Sequence, residues 1–119
     1  MKNLAPQLFR QRLLVEGFYT IDVTRERLAE YLQGVAAQLQ LTAYGEPTIY
    51  SPGGLGRAEN QGFDAFLPLI DSGIAAYIWS SAKFFSIVLY TCKGFDEAAA
   101  VRYTREFFGA TGDVESLSF

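Results

Sequence analysis

The side chains with chemistry to offer in this 119-residue sequence are carboxylates, hydroxyls and one thiol, Cys92, and there is no histidine. That absence removes Ser-His and Cys-His nucleophile pairs, histidine acid–base catalysis and histidine metal ligation. A single cysteine also excludes a thiolate zinc site within one chain and an internal disulfide. No GxGxxG or P-loop pattern is present. Pyridoxal phosphate would need a Schiff-base lysine and a phosphate site, for which nothing argues. One further route is a reactive group that the chain makes from itself. Asp71-Ser72-Gly73 opens the first of two apolar runs, Ser80-Ser81-Ala82-Lys83 separates them, and Cys92 closes the second. A serine can attack its preceding carbonyl only at close range, across a strained or polarised peptide bond, and Gly73 relieves crowding in a tight turn. Asp-Ser-Gly is also a common turn sequence, and a lone cysteine is most often a small buried hydrophobe.

The stretch from Leu69 to Cys92 resembles the bacterial-type S-adenosylmethionine decarboxylases, small pyruvoyl enzymes that cut themselves at a serine. In that family a Glu-Ser-His stretch leads into a strand ending His-Thr-Trp-Pro-Glu, and a Thr-Cys closes the next strand. Laid on without a gap, the serine falls on Ser72, the tryptophan on Trp79 and the Thr-Cys on Thr91-Cys92. The resemblance implies cleavage between Asp71 and Ser72, a pyruvoyl group derived from Ser72, no metal, and Cys92 returning a proton to the substrate carbon. The serine hydroxyl would attack the preceding carbonyl to give an ester. Elimination would then cut the chain, and hydrolysis of the resulting dehydroalanine would leave pyruvoyl and ammonia. Trp79 and Phe63 would offer the substrate flat aromatic faces.

Several family positions differ. Asp71 stands for a glutamate. Tyr77 stands for the histidine that assists processing, and a phenol with an ordinary pKa near 10 is a poor base. Ser81 stands for the glutamate that grips the substrate ribose, and Ser80 for a proline. The family's Gly-Val-Ser-Gly segment is unrecognisable in Gln61-Gly62-Phe63-Asp64, where Asp64 is the nearest equivalent of its serine.

The elements that must position these residues follow from periodicity. Leu13–Val23 is β-rich and predicts a first strand, with a bulge or exposed edge at Glu16-Gly17. Asp22 or Thr24 can cap a helix running to about Gln40. Its apolar stripe is Leu28, Tyr31, Leu32, Val35, Ala36 and Leu39. Leu41–Tyr50 predicts a second strand, which Pro47 assigns to an edge. The glycine-rich segment Ser51–Gly62 is a loop, either a plain hairpin connection or a cover over an active site. Phe63–Ile70 and the two apolar runs supply three more strands. Asp96 caps a second helix and Gly109 ends it, and Asp113–Phe119 can add an edge strand. The order β-α-β-β-β-β-α predicts an α+β two-layer sandwich, an antiparallel sheet with two helices packed on one face. The resemblance covers about residues 13–109 and implies the same fold.

Length predicts one domain over residues 1–119. The net charge of −3 gives no general attraction to nucleic acid or anionic membrane. Residues 1–12 carry no hydrophobic signal core, so a cytoplasmic location is expected. The arm Met1–Gln11 is expected to be loosely held. The family implies a homodimer and a small-molecule substrate. Three functions are open. The first is a pyruvoyl decarboxylase of S-adenosylmethionine in polyamine (spermidine) biosynthesis. The second is a pyruvoyl decarboxylase of another amino acid such as arginine or ornithine. The third is a processing-dead homologue that binds a ligand or regulates a partner.

Overall fold

A computed structural model describes all residues, Met1–Phe119. The elements are β1 (Gln11–Phe18), α1 (Arg25–Gln38), β2 (Thr48–Tyr50), a 3₁₀ turn (Ala58–Asn60), β3 (Gly62–Leu69), β4 (Ser72–Trp79), β5 (Phe84–Thr91), α2 (Glu97–Phe108) and β6 (Glu115–Ser118). All six strands join one antiparallel sheet in the order β2-β3-β4-β5-β1-β6. Both helices lie on one face of it, giving the expected α+β sandwich.

The layering follows from strand alternation. Ile74, Ala76 and Ile78 of β4, Phe85, Ile87 and Leu89 of β5, Leu13 and Val15 of β1, and Ala65, Leu67 and Leu69 of β3 are buried toward the helices. The stripe Leu28, Tyr31, Leu32, Val35 and Ala36 of α1, with Leu39 at its C-cap, meets them, as its spacing predicts. Thr24 caps α1 by accepting the Arg27 N–H at 3.1 Å, and Asp96 caps α2 by accepting the Ala99 N–H at 3.1 Å. Gly109 ends α2 with φ of 62°, a left-handed conformation in which a Cβ would be strained.

Two strands depart from expectation. The bulge at Glu16-Gly17 is absent: β1 pairs with β5 without interruption, Glu16 opposite Ser86 and Gly17 opposite Phe85, and is interior to the sheet. The glycine is there because a Cβ would sit 2.8 Å from the Phe85 ring. The second strand shrinks to three residues at the sheet edge. Residues before Thr48 contribute only a bridge from Ala43 to Leu69.

The helix layer holds one buried polar pair. The Tyr31 hydroxyl lies 2.8 Å from Thr104 Oγ1, which itself donates to the Ala100 carbonyl at 2.8 Å. Burial pushes the Tyr31 phenol above its ordinary value of 10.0, only partly offset by the Thr104 hydrogen bond. The folded pKa is raised, so this contribution to stability is full below the unfolded pKa near 10 and is lost as pH rises above it. Denaturant titrations are therefore expected to show stability falling above about pH 10, with a shallower fall in Tyr31→Phe. An equally steep fall in that variant would assign the alkaline loss elsewhere.

Candidate active site

Ser72 is the first residue of β4 and Cys92 follows the last residue of β5, and the antiparallel pairing of these strands brings them to one end of the sheet. The Cys92 backbone N–H donates to Ser72 Oγ at 3.1 Å. Cys92 is exposed. Leu69 pairs with Ser72 across β3 and β4, so Ile70-Asp71 forms a two-residue hairpin turn. Asp71 has φ of 60°, left-handed backbone that a residue with a Cβ adopts at a cost. The bond between Asp71 and Ser72 thus joins a strained residue to a hydroxyl held by a backbone donor. An N–H donated to a serine oxygen favours negative charge on that oxygen.

The rest of this end was not singled out from the sequence. Gly73 lies between Pro68 and Tyr90 in the strand register. A Cβ on Gly73 would meet the Phe66 ring at 2.6 Å, so that ring lies directly over the backbone after Ser72. Phe66 and Tyr90 therefore form an aromatic patch on the open face at this end of the sheet, whereas Ser72, two residues before Ile74, alternates to the helix side. The signal was available in the period-2 alternation of β3 and β5, which puts Phe66 and Tyr90 on the face away from the helices.

The other candidates gather at the opposite end of β4. Trp79 is seven residues from Ser72, a span of about 23 Å at ~3.3 Å per residue. Its Nε1 donates to Asn60 Oδ1 at 2.9 Å and its ring stands 5.3 Å from that of Phe84. Tyr77 is on the same open face, exposed, opposite Asp64 on β3 and Ser86 on β5. The Ser86 hydroxyl donates to Glu16 at 2.7 Å. Ser81 sits in the turn between β4 and β5, with its hydroxyl 3.5 Å from the Glu59 carbonyl.

The loop Ser51–Gln61 connects β2 to β3 and also folds over this end. With Asp64, Tyr77 and Trp79, its residues Leu55, Arg57 and Asn60 line a cavity of about 290 Å³. Gln61 pins the loop, donating to the carbonyls of Leu55 and Arg57 and accepting the Gly54 N–H. Gly62 is required because a Cβ there would fall 1.8 Å from the Ile78 carbonyl oxygen.

Phe63 is not beside Trp79. Alternation puts it on the helix side, opposite Ile78, with the Arg25 guanidinium 5.9 Å from its ring centre. Two clusters result: Asp71, Ser72 and Cys92 at one end of the β4–β5 pair, and Tyr77, Trp79 and Ser81 at or beyond the middle and the other end. Nowhere do three or more acidic or cysteine side chains converge in a geometry able to hold a metal ion.

The sequence profile described as S-adenosylmethionine decarboxylase matches residues 17–116. The fold is similar to the crystal structure of the adenosylmethionine decarboxylase from Aquifex aeolicus VF5, with a TM-score of 0.73 at 17% sequence identity, covering 94% of this chain and 89% of that one. No curated protein sequence matches this one. The profile spans most of the sheet and both helices, Ser72 and Cys92 included, and on that match the chain belongs to the S-adenosylmethionine decarboxylase family.

Proposed function

We propose that this protein is a pyruvoyl-dependent carboxy-lyase that cuts itself between Asp71 and Ser72 and decarboxylates S-adenosylmethionine, supplying polyamine synthesis. The observation that carries the reading is the juxtaposition at one sheet end of Ser72, the Cys92 N–H on its hydroxyl, and left-handed Asp71 before the scissile bond. These residues fit a pyruvoyl group made from Ser72. Such a group supplies the electron sink for the carbanion that decarboxylation leaves. Ser72 Oγ would attack the Asp71 carbonyl, and breaking the Asp71–Ser72 peptide bond would relieve the strain at Asp71. Cys92 offers a thiol to return a proton to the substrate carbon.

Denaturing mass spectrometry of the purified protein tests this. Two chains, one ending at Asp71 and one beginning with a pyruvoyl group, are the expected result. A single uncut chain would favour the second reading, a processing-dead homologue. That reading is motivated by Tyr77, which lies five residues along β4 from Ser72 and alternates to the other face.

The span from Ser72 to Trp79 is too long for one small substrate to touch both within a protomer. A homodimer answers this, with the Trp79 end of one copy set against the Ser72 end of the other. The face away from the helices is the surface suited to it. Leu14, Val88, Ala75 and Phe66 form one cross-strand row there, continued by Leu117 on β6. Covering such a row removes exposed apolar area from water. Val88→Asp is expected to shift the protein from dimer to monomer in light scattering and to lower decarboxylation at least about tenfold while leaving the fold intact. A monomeric parent protein with full activity would sink the shared-site idea.

A further inference from the structure

A cavity of about 490 Å³ lies away from Ser72, between the N-terminal arm and the outer side of β1. Its size falls in the range of small-molecule sites. Leu8, Phe9 and Phe119 supply apolar wall, and Asn3, Arg10 and Arg12 supply the polar groups.

The arm carries hydrogen bonds of its own. Leu8 N–H bonds the Ala5 carbonyl at 2.9 Å, and Arg10 donates to Asn3 Oδ1 and, at 3.4 Å, to the Ala5 carbonyl. Arg12 differs from Arg10. Its guanidinium donates to no protein acceptor, and its Nε is closed off from water without a partner. It lies 5.5 Å from the centre of the Phe119 ring. The chain's ion pairs are Arg27–Glu30 and Arg57–Glu59, so neither arginine of the cavity has a carboxylate. In a protein of net charge −3, two arginines line one cavity and neither forms an ion pair with an Asp or Glu side chain.

A partly desolvated cation without an acceptor is costly, and the same desolvation strengthens its attraction for an anion. The planar guanidinium presents paired N–H donors that match a carboxylate or phosphate. The ring of Phe119 and the side chains of Leu8 and Phe9 suit an apolar or aromatic body. We propose that this cavity is a binding site for a small organic anion, a carboxylate or phosphate ester attached to an apolar group. It is separate from the Ser72 end, since Arg12 pairs with Tyr90 two strands from Gly73 and its guanidinium turns to Phe119 on the β6 side.

Calorimetric titration of the full chain with benzoate, phenyl phosphate and benzylamine tests the proposal. Saturable binding of benzoate or phenyl phosphate, with none of benzylamine, is the expected result, and which anion binds assigns carboxylate or phosphate. Arg12→Met should weaken that binding about tenfold or more, as loss of a charge-assisted hydrogen bond does. Arg10→Gln, at a more superficial position, should weaken it less and guards against a folding defect in the first variant. The proposal is overturned if neither anion saturates, if benzylamine binds as tightly, or if both variants bind as the parent does. None of these outcomes depends on self-cleavage or decarboxylation.

Discussion

Ser72→Ala is expected to give one uncut chain and to lower carbon dioxide release at least about 10⁴-fold, the scale on which loss of a nucleophile is felt. The prediction is sharpened by two companions. Ser86→Ala, on the neighbouring strand, removes a hydroxyl whose partner is Glu16 and should leave cleavage intact. Cys92→Ala should separate the two stages. Ser72 is held by the backbone N–H of Cys92 and not by its thiol. Cleavage should therefore proceed in this variant, while decarboxylation falls because the proton donor is gone. Denaturing mass spectrometry reads the first stage and release of labelled carbon dioxide the second. Loss of cleavage in Cys92→Ala would mean that the thiol itself takes part in processing.

Phe108→Ala is expected to cost about 3–5 kcal/mol, a large share of the ~5–15 kcal/mol that stabilises a domain of this kind. Phe108 is fully buried in α2, stacked on Phe85 of β5 at 4.7 Å between ring centres and tilted against Tyr31 of α1 at 4.8 Å. It also meets Tyr19 at 6.3 Å, so one ring joins both helices to the sheet. Nothing nearby can collapse into the space without breaking one of those contacts. The midpoint of chemical denaturation should fall accordingly, and the thermal midpoint by roughly 10 °C or more. A loss under about 1 kcal/mol would show that the helix layer repacks freely.

Much of this was legible in the sequence, for identifiable reasons. The β4–β5 hairpin and the α1 stripe are patterned at their native periods, and Asp96 and Gly109 carry their own end signals. The Ser72–Cys92 meeting follows from that hairpin alone. What escaped was set by tertiary context. Glu16-Gly17 looks like an interruption until Phe85 is seen to need the space above the glycine. Leu41–Pro47 has strand-like composition but only a single bridge partner, so it remains mostly coil. Phe63 and Trp79 are both aromatic and lie near one another in the sheet, yet strand parity separates them onto opposite faces. The strand order β2-β3-β4-β5-β1-β6 was not legible in the sequence, since no local pattern says which strands pair. The loop's role over Trp79 depends on the side-chain amide of Gln61, which no local pattern announces.

The sheet order has a consequence for a chain cut as proposed between Asp71 and Ser72. Residues 1–71 hold β1, α1, β2 and β3, and residues 72–119 hold β4, β5, α2 and β6. In space these strands alternate by origin: β2-β3, then β4-β5, then β1, then β6. The two pieces are interleaved like the fingers of two hands, meeting at three ladders and again where α1 packs on α2. Opening the Ile70-Asp71 turn would remove a covalent link but none of those ladders. Two polypeptides made from separate messages, residues 1–71 and 72–119, are therefore expected to assemble into the same sheet. Each half carries only one two-stranded piece of the sheet, too small to be stable without the other.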